Sequence, residues 1–180
     1  MNLFVACDLN NGIGYKNQLL YRSSVDLKRF AEKTKNSTIV MGYNTFCSLP
    51  HVLPNRRHIV FTKKLIVPEL ELKVNHTIAK FGVCPEVHIV NSLESFFKLK
   101  SDLNISSDEI NVIGGEQIYN LLFDYISVFY ITVFNKSFEN VDAFFDKARL
   151  SNDFFDSRNS IHLHPFGEEL ELSFITYVRK

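Results

Sequence analysis

Short runs of β-branched and aliphatic residues recur along this chain and alternate, over most of its length, with segments of helical period. Such alternation leaves little choice of fold: strands joined through helices lie parallel and are covered on both faces. Residues 2 to 9 (NLFVACDL) read as a buried opening strand, broken by NNGIG. From Ser24 the period changes. Val25, Leu27, Phe30 and Ala31 recur at helical spacing, with Ser23 or Ser24 as N-cap and Asp26 in the first turn. STIVMG (37 to 42) predicts a second strand, then a short helix through Phe46, and RHIVFT (57 to 62) a third strand. Residues 72 to 78 and 86 to 90 suggest two more, and 92 to 100 a helix capped by Ser92. INVIGG predicts a sixth strand, with a helix from Glu116 to about Phe123. SVFYITVF (127 to 134) and LELSFITYV (170 to 178) complete the set with no predicted helix between them, so that edge should be antiparallel. The expectation is one α/β domain over residues 1 to 180, a mixed, mainly parallel eight-stranded sheet flanked by about four helices.

An apolar content of 46% with 17 phenylalanines supplies one substantial core. Lys plus Arg equals Asp plus Glu at 20 each, which speaks against nucleic acid, since phosphate binding leaves a basic footprint. No stretch approaches the roughly 20 apolar residues of a membrane span. The opening MNLFVACD has no basic n-region or long apolar run, so no signal peptide is expected. Cys7, Cys47 and Cys84 form no metal spacing, and their odd number fits reduced thiols. The expectation is a cytoplasmic monomer acting on a small molecule.

In NVIGGEQIYNLL (111 to 122) two glycines join a strand to a helix. The stretch lacks the Walker spacing and the first glycine of the dinucleotide fingerprint. In open α/β sheets ligands sit beyond the carboxyl ends of the strands, where NNGIGYKNQLLY, GYNTF, TKK and GGEQ all leave the sheet. Helix N-termini there favour phosphate, so an extended phosphate-bearing ligand is expected across the sheet. Asp26 has apolar flanks. It is either a first-turn acid that complements the helix dipole or a partly buried carboxylate with a raised pKa, and the local pattern leaves both open.

VACDLNNGIGYKNQLLYRSSVDLKRF, TIVMGYNTFCSLPHVLPNRRHIVFTK and INVIGGEQIYNLL together resemble the dihydrofolate reductase family, and the final SFITYVRK is similar to its closing strand. The resemblance implies hydride transfer from NADPH to 7,8-dihydrofolate. On it, Asp26 matches the acid that grips the pterin edge and assists protonation at N5, and Thr132 the threonine bonded to that acid. Tyr21 takes the place of a tryptophan that orders a water. Phe4, Val5, Ala6, Leu27, Phe30, Leu49, Leu53 and Ile113 match pterin and benzoyl contacts, and Arg56 the clamp on the glutamate carboxylate. For the cofactor, Asn44 and Thr45 match the phosphate turn, and Thr62 with Lys63 the 2′-phosphate site. Ile13, Gly14 and Gln18 match a loop over the nicotinamide, joined by Ala6. Gly114, Gly115, Glu116, Gln117, Ile118 and Tyr119 match the strand–helix junction beneath the pyrophosphate.

The chain departs from the family pattern at Leu20 and Tyr21, where proline and tryptophan are usual, and at Tyr43, often an arginine. Asn55 replaces a glycine, which asparagine's tolerance of left-handed backbone permits. Two alternatives stay open: a related pyrimidine reductase of riboflavin synthesis, and a catalytically impaired reductase-like binding protein. His162 and His164 read as surface histidines, Glu168, Glu169 and Glu171 as a solvated turn, and Asp142 with Asp146 as an acidic surface pair.

Overall fold

The structure, a computed structural model, describes residues 1–64, 68–150, 155–165, 167 and 169–180, with main chain only for 155–160. In chain order the elements are β1 (Asn2–Cys7), β2 (Gly12–Tyr15), β3 (Gln18–Leu19), α1 (Ser24–Thr34), β4 (Thr38–Gly42), α2 (Tyr43–Ser48), β5 (Arg57–Phe61) and α3 (Pro68–Phe81). Then follow β6 (Glu86–Val90), α4 (Leu93–Asp102), β7 (Ile110–Gly114), α5 (Glu116–Leu122), β8 (Val128–Phe134), β9 (Ala143–Phe144), β10 (Phe155–Leu163) and β11 (Leu172–Arg179). Among the described residues eight strands form one sheet in the order β10-β11-β8-β1-β7-β4-β5-β6. The pairs from β8 to β6 are parallel, and β11 joins β8 and β10 antiparallel, which gives the expected edge. A second small sheet, β3-β2-β9, stands beside it.

Strand alternation sorts the core onto two faces. Leu3, Val5 and Cys7 of β1, Val40 of β4, Ile59 and Phe61 of β5 and Ile131 of β8 pack with Phe96 of α4 and with Ile118, Tyr119 and Leu122 of α5. Ile39, Met41 and Val60 point the other way, against Phe46 of α2 and Leu70 and Val74 of α3. The same face carries Ala6, Phe134 and Phe174 near Val25 of α1. Burial of this order, at ~25 cal/mol per Å² of apolar surface, is the main term holding the layers together.

Residues 72 to 78, expected as a strand, lie inside α3. The alternation in LKVNHTI imitates a strand, but Leu70, Val74 and Thr77 fall at helical spacing and turn inward. Pro68 stands at the first helical position, Glu69 and Glu71 fill the first turn and Lys80 the last, so the ends of the segment are built for a helix. The eighth strand is instead β10, whose first six residues (FDSRNS) hold one apolar side chain and give no strand signal. With α3 counted, five α-helices flank the sheet among the described residues.

Candidate active site

β1, β4, β5 and β7 end together at Cys7, Gly42, Phe61 and Gly114, and α2 and α5 start directly after Gly42 and Gly115. Between these ends lies a cavity of about 590 Å³. Ala6, Ile13, Gly14, Gln18, Asn44, Thr45, Thr62, Lys63, Gly114, Gly115, Glu116, Gln117, Ile118 and Tyr119 all line it. Neither Gly42 nor Gly115 supplies a side-chain cap. First-turn N–H groups of both helices are therefore left to water or to an acceptor in the cavity. Among the described lining residues Lys63 is the one base. Hydroxyls, uncapped helix starts and one ammonium suit an extended, phosphate-bearing ligand.

The two glycines of the β7–α5 junction differ in kind. Gly114 has φ +119, and a Cβ there would stand 3.0 Å from the Tyr119 hydroxyl oxygen. That hydroxyl donates to the Phe4 carbonyl at 2.7 Å, and burial pushes the phenol well above its ordinary pKa. Gly114 is thus required by the protein's own packing. Gly115 has ordinary φ, and a Cβ there would meet Thr45 Oγ1 at 3.3 Å, across the gap between α5 and α2. A side chain at this position narrows the cavity itself.

The β2–β3 hairpin forms one wall and is pinned from two sides. Asp142 accepts from the Lys16 N–H at 2.9 Å and donates its own N–H to the Gly14 carbonyl at 3.1 Å. Asp8, 1% exposed, accepts the N–H groups of Asn10 (2.8 Å) and Gly12 (2.7 Å) on Oδ1 and that of Phe138 (3.0 Å) on Oδ2.

Asp26 sits in the first turn of α1, where Ser23 Oγ caps by accepting the Asp26 N–H at 3.2 Å. The Asp26 carboxylate is half-buried and turns toward the sheet, accepting the Thr132 hydroxyl at 2.5 Å. Thr132 is buried and pairs in register with Ala6, a lining residue of the cavity, while Asp26 and Thr132 themselves are not among the cavity's described lining residues. Phe4 stacks on Tyr130 at 4.7 Å and meets Phe30 edge-on at 5.9 Å, while Leu27, on the same helix as Phe30, is 43% exposed. Tyr21 packs its ring on Phe134 at 5.2 Å, near Ala6 and Val25. Val5 buries its side chain on the opposite face, which leaves only its main chain for the site.

Residues 49 to 56 run irregularly past the end of α1. Leu49 and Leu53 pack with Ile113 over β4 and β5. Arg56 donates from Nε to Thr34 Oγ1 (2.9 Å), from Nη1 to the Pro54 carbonyl (3.0 Å) and from Nη2 to the Ala31 carbonyl (2.9 Å). All three acceptors are neutral, so the guanidinium keeps its charge for an anion. Asn55 adopts φ 58, the left-handed backbone expected of it.

The family model for dihydrofolate reductase matches residues 1–179. The chain belongs to the dihydrofolate reductase family. Dihydrofolate reductase type 9 of Escherichia coli is 33% identical over 134 residues, which cover 73% of this chain and 68% of that one. Dihydrofolate reductase of Staphylococcus haemolyticus is 31% identical over 145 residues, 81% and 75% of the two chains. The solved structure of dihydrofolate reductase from Enterococcus faecalis, complexed with NADP(H) and RAB-propyl, matches with TM-score 0.73 at 24% identity over 99% of this chain and 95% of that one, which shows the same fold. The reaction of the dihydrofolate reductase family is reduction of dihydrofolate by NADPH.

Several contacts of this reductase chain were not legible beforehand. Tyr43 lines the cavity and donates its hydroxyl to Glu69, with Lys64 Nζ 4.0 Å from its ring centroid. No local pattern links positions 43 and 69. Asp8 had a signal: an acid ending an apolar run before Asn-Asn-Gly is a turn former that bonds the next main-chain N–H groups. Asp142 belongs to the hairpin wall rather than to a plain surface pair with Asp146. His162 and His164 are exposed, and no cluster suited to a metal occurs among the described residues. Glu168 lies outside the described residues. No helix is long and apolar enough to cross a membrane.

Proposed function

We propose that this protein reduces 7,8-dihydrofolate to tetrahydrofolate, with the pterin held at Asp26 and NADPH lying along the cavity lined by the β7–α5 junction. The observation that carries the reading is the Thr132–Asp26 bond, made by the strand residue that pairs with the cavity-lining Ala6. A carboxylate turned toward the sheet by a threonine hydroxyl, beside an apolar aromatic wall, is suited to accept N–H donors from a planar ring edge. Bound NADPH supplies the hydride. Asp26 orients the pterin and, as a negative charge at the ring edge, favours its protonation at N5. Phe4, Leu27 and Phe30 form the apolar wall, and Arg56 offers a fork to the distant carboxylate of the glutamate tail. Lys63 and Thr62 stand for a 2′-phosphate, and Asn44 and Thr45, with the two uncapped helix starts, for the pyrophosphate. Ile13, Gly14 and Gln18 cover the nicotinamide from the hairpin wall.

The eight-stranded sheet and its helices form one body around the cavity, which supports a single domain. Its three free cysteines support a reducing, cytoplasmic setting. The decisive assay follows loss of reduced-nicotinamide absorbance with NADPH and dihydrofolate, then with the pyrimidinone substrate of the related reductase. Turnover of dihydrofolate alone is the expected result. Turnover of the pyrimidinone alone overturns the reading.

A further inference from the structure

The irregular segment 49–56 carries Leu49, Leu53 and Arg56 but has no strand ladder of its own, so its main-chain groups find partners elsewhere. Its first half hangs from α3: Lys73 Nζ donates to the Leu49 carbonyl, and Thr77 Oγ1 accepts the Val52 N–H at 3.1 Å. Its second half hangs from β5. His58, 0% exposed, takes the Leu53 N–H on Nε2 at 3.1 Å and reaches the Arg56 carbonyl with Nδ1 at 3.1 Å. We infer that His58 is a positioning residue of the reductase, its imidazole setting the turn from Leu53 to Arg56 so that the guanidinium meets the substrate's glutamate carboxylate; this rests on the function proposed above.

The Leu53 N–H and the Arg56 carbonyl fix the ring's state. An N–H can only donate and a carbonyl can only accept, so Nε2 carries the lone pair and Nδ1 the proton. The imidazole is therefore neutral and bridges both ends of a four-residue turn. Arg56 is tied to that turn through the Pro54 carbonyl and to α1 through Thr34 and Ala31. Besides Arg56 itself, His58 is the side chain that bonds main chain of 53–56 among the described residues. A shift of the turn thus moves the guanidinium against α1, while Asp26 and the cofactor cavity, built from other elements, stay in place.

The test compares wild type, His58→Phe and His58→Asn at saturating NADPH, with dihydrofolate and with a small pteridine that lacks the glutamate. His58→Phe should raise KM for dihydrofolate about tenfold and change kcat and the small substrate's KM by less than about twofold, the mark of lost uniform binding at a remote contact. His58→Asn, whose amide donates from near the Nδ1 position, should recover most of the lost affinity. Equal rises for both substrates, or an unchanged KM for dihydrofolate, overturn the proposal. Nitrogen-15 spectra of the wild-type imidazole give a reading independent of variant folding: the neutral Nδ1–H tautomer supports the role and the Nε2–H tautomer refutes it. A wild-type protein inactive on dihydrofolate instead overturns the functional reading, and this proposal with it.

Discussion

The Thr132 hydroxyl donates to Asp26 Oδ1 at 2.5 Å, joining residues 106 positions apart in the chain. The bond ties the start of α1 to the interior of β8, so the acid's orientation is set by the sheet. Asp26→Asn should slow hydride transfer to dihydrofolate by about 100- to 10,000-fold, the usual worth of a positioned acid–base group, and leave NADPH affinity intact. The loss should lessen at low pH, where solvent protonates the substrate. Thr132→Val, which removes one bond to a charged acceptor, should have a smaller effect, about 1–3 kcal/mol in the barrier. Single-turnover rates and NADPH titrations check both, and near wild-type turnover by Asp26→Asn removes its role.

Arg56→Leu should raise KM for dihydrofolate with little change in kcat, because the guanidinium acts far from the reacting carbon. A pteridine without the glutamate tail should be almost unaffected. Similar damage to both substrates means that the bonds to Thr34, Ala31 and Pro54 are what matter.

Lys63 is exposed and is the one basic residue among the cavity's described lining residues. Lys63→Ala should weaken NADPH binding more than NADH binding, by about 1–3 kcal/mol for a charge-assisted contact to the 2′-phosphate. Calorimetry with both cofactors decides, and equal losses place the phosphate elsewhere.

The two glycines of VIGG should separate cleanly. Gly114→Ala forces a side chain into positive φ and against Tyr119, so it should lower stability by more than about 1 kcal/mol. Gly115→Val meets no positive-φ cost and should leave the melting temperature nearly unchanged while weakening NADPH at least tenfold, about 1.4 kcal/mol. If Gly115→Val melts early and loses every ligand together, that glycine is structural too.

His58 also predicts a pH dependence of stability. Burial lowers its pKa from 6.5 to about 4, with the Arg56 charge acting in the same direction. The unfolded chain therefore binds this proton first, and stability is full above about pH 6.5 and declines as pH falls toward 4. The loss attributable to His58 should approach about 3 kcal/mol. Denaturant unfolding of wild type and His58→Phe between pH 7 and 4 should converge by that amount, and parallel curves count against it.

The parallel sheet was readable because β4, β5, β7 and β8 are short runs dominated by β-branched, aliphatic and aromatic residues, the composition of strands buried on both faces. The cavity was readable from the glycine and polar stretches at the ends of those strands. α3 was misread because period-2 and period-3.6 spacing coincide over seven residues such as LKVNHTI, and only its ends decide. β10 was hidden because its pairing with β11 is carried by main chain in a polar run. The contacts of His58 with Leu53 and Arg56 were equally hidden, since they depend on where β5 places a buried ring beneath a loop.

Asp8 gathers three main-chain N–H groups from two separate loops onto one buried carboxylate. None of them can meet solvent until that carboxylate lets go, so Asn10, Gly12 and Phe138 share a single opening event. Their amide hydrogens should show one common protection factor against deuterium exchange, making the two loops a single cooperative unit rather than two that breathe separately.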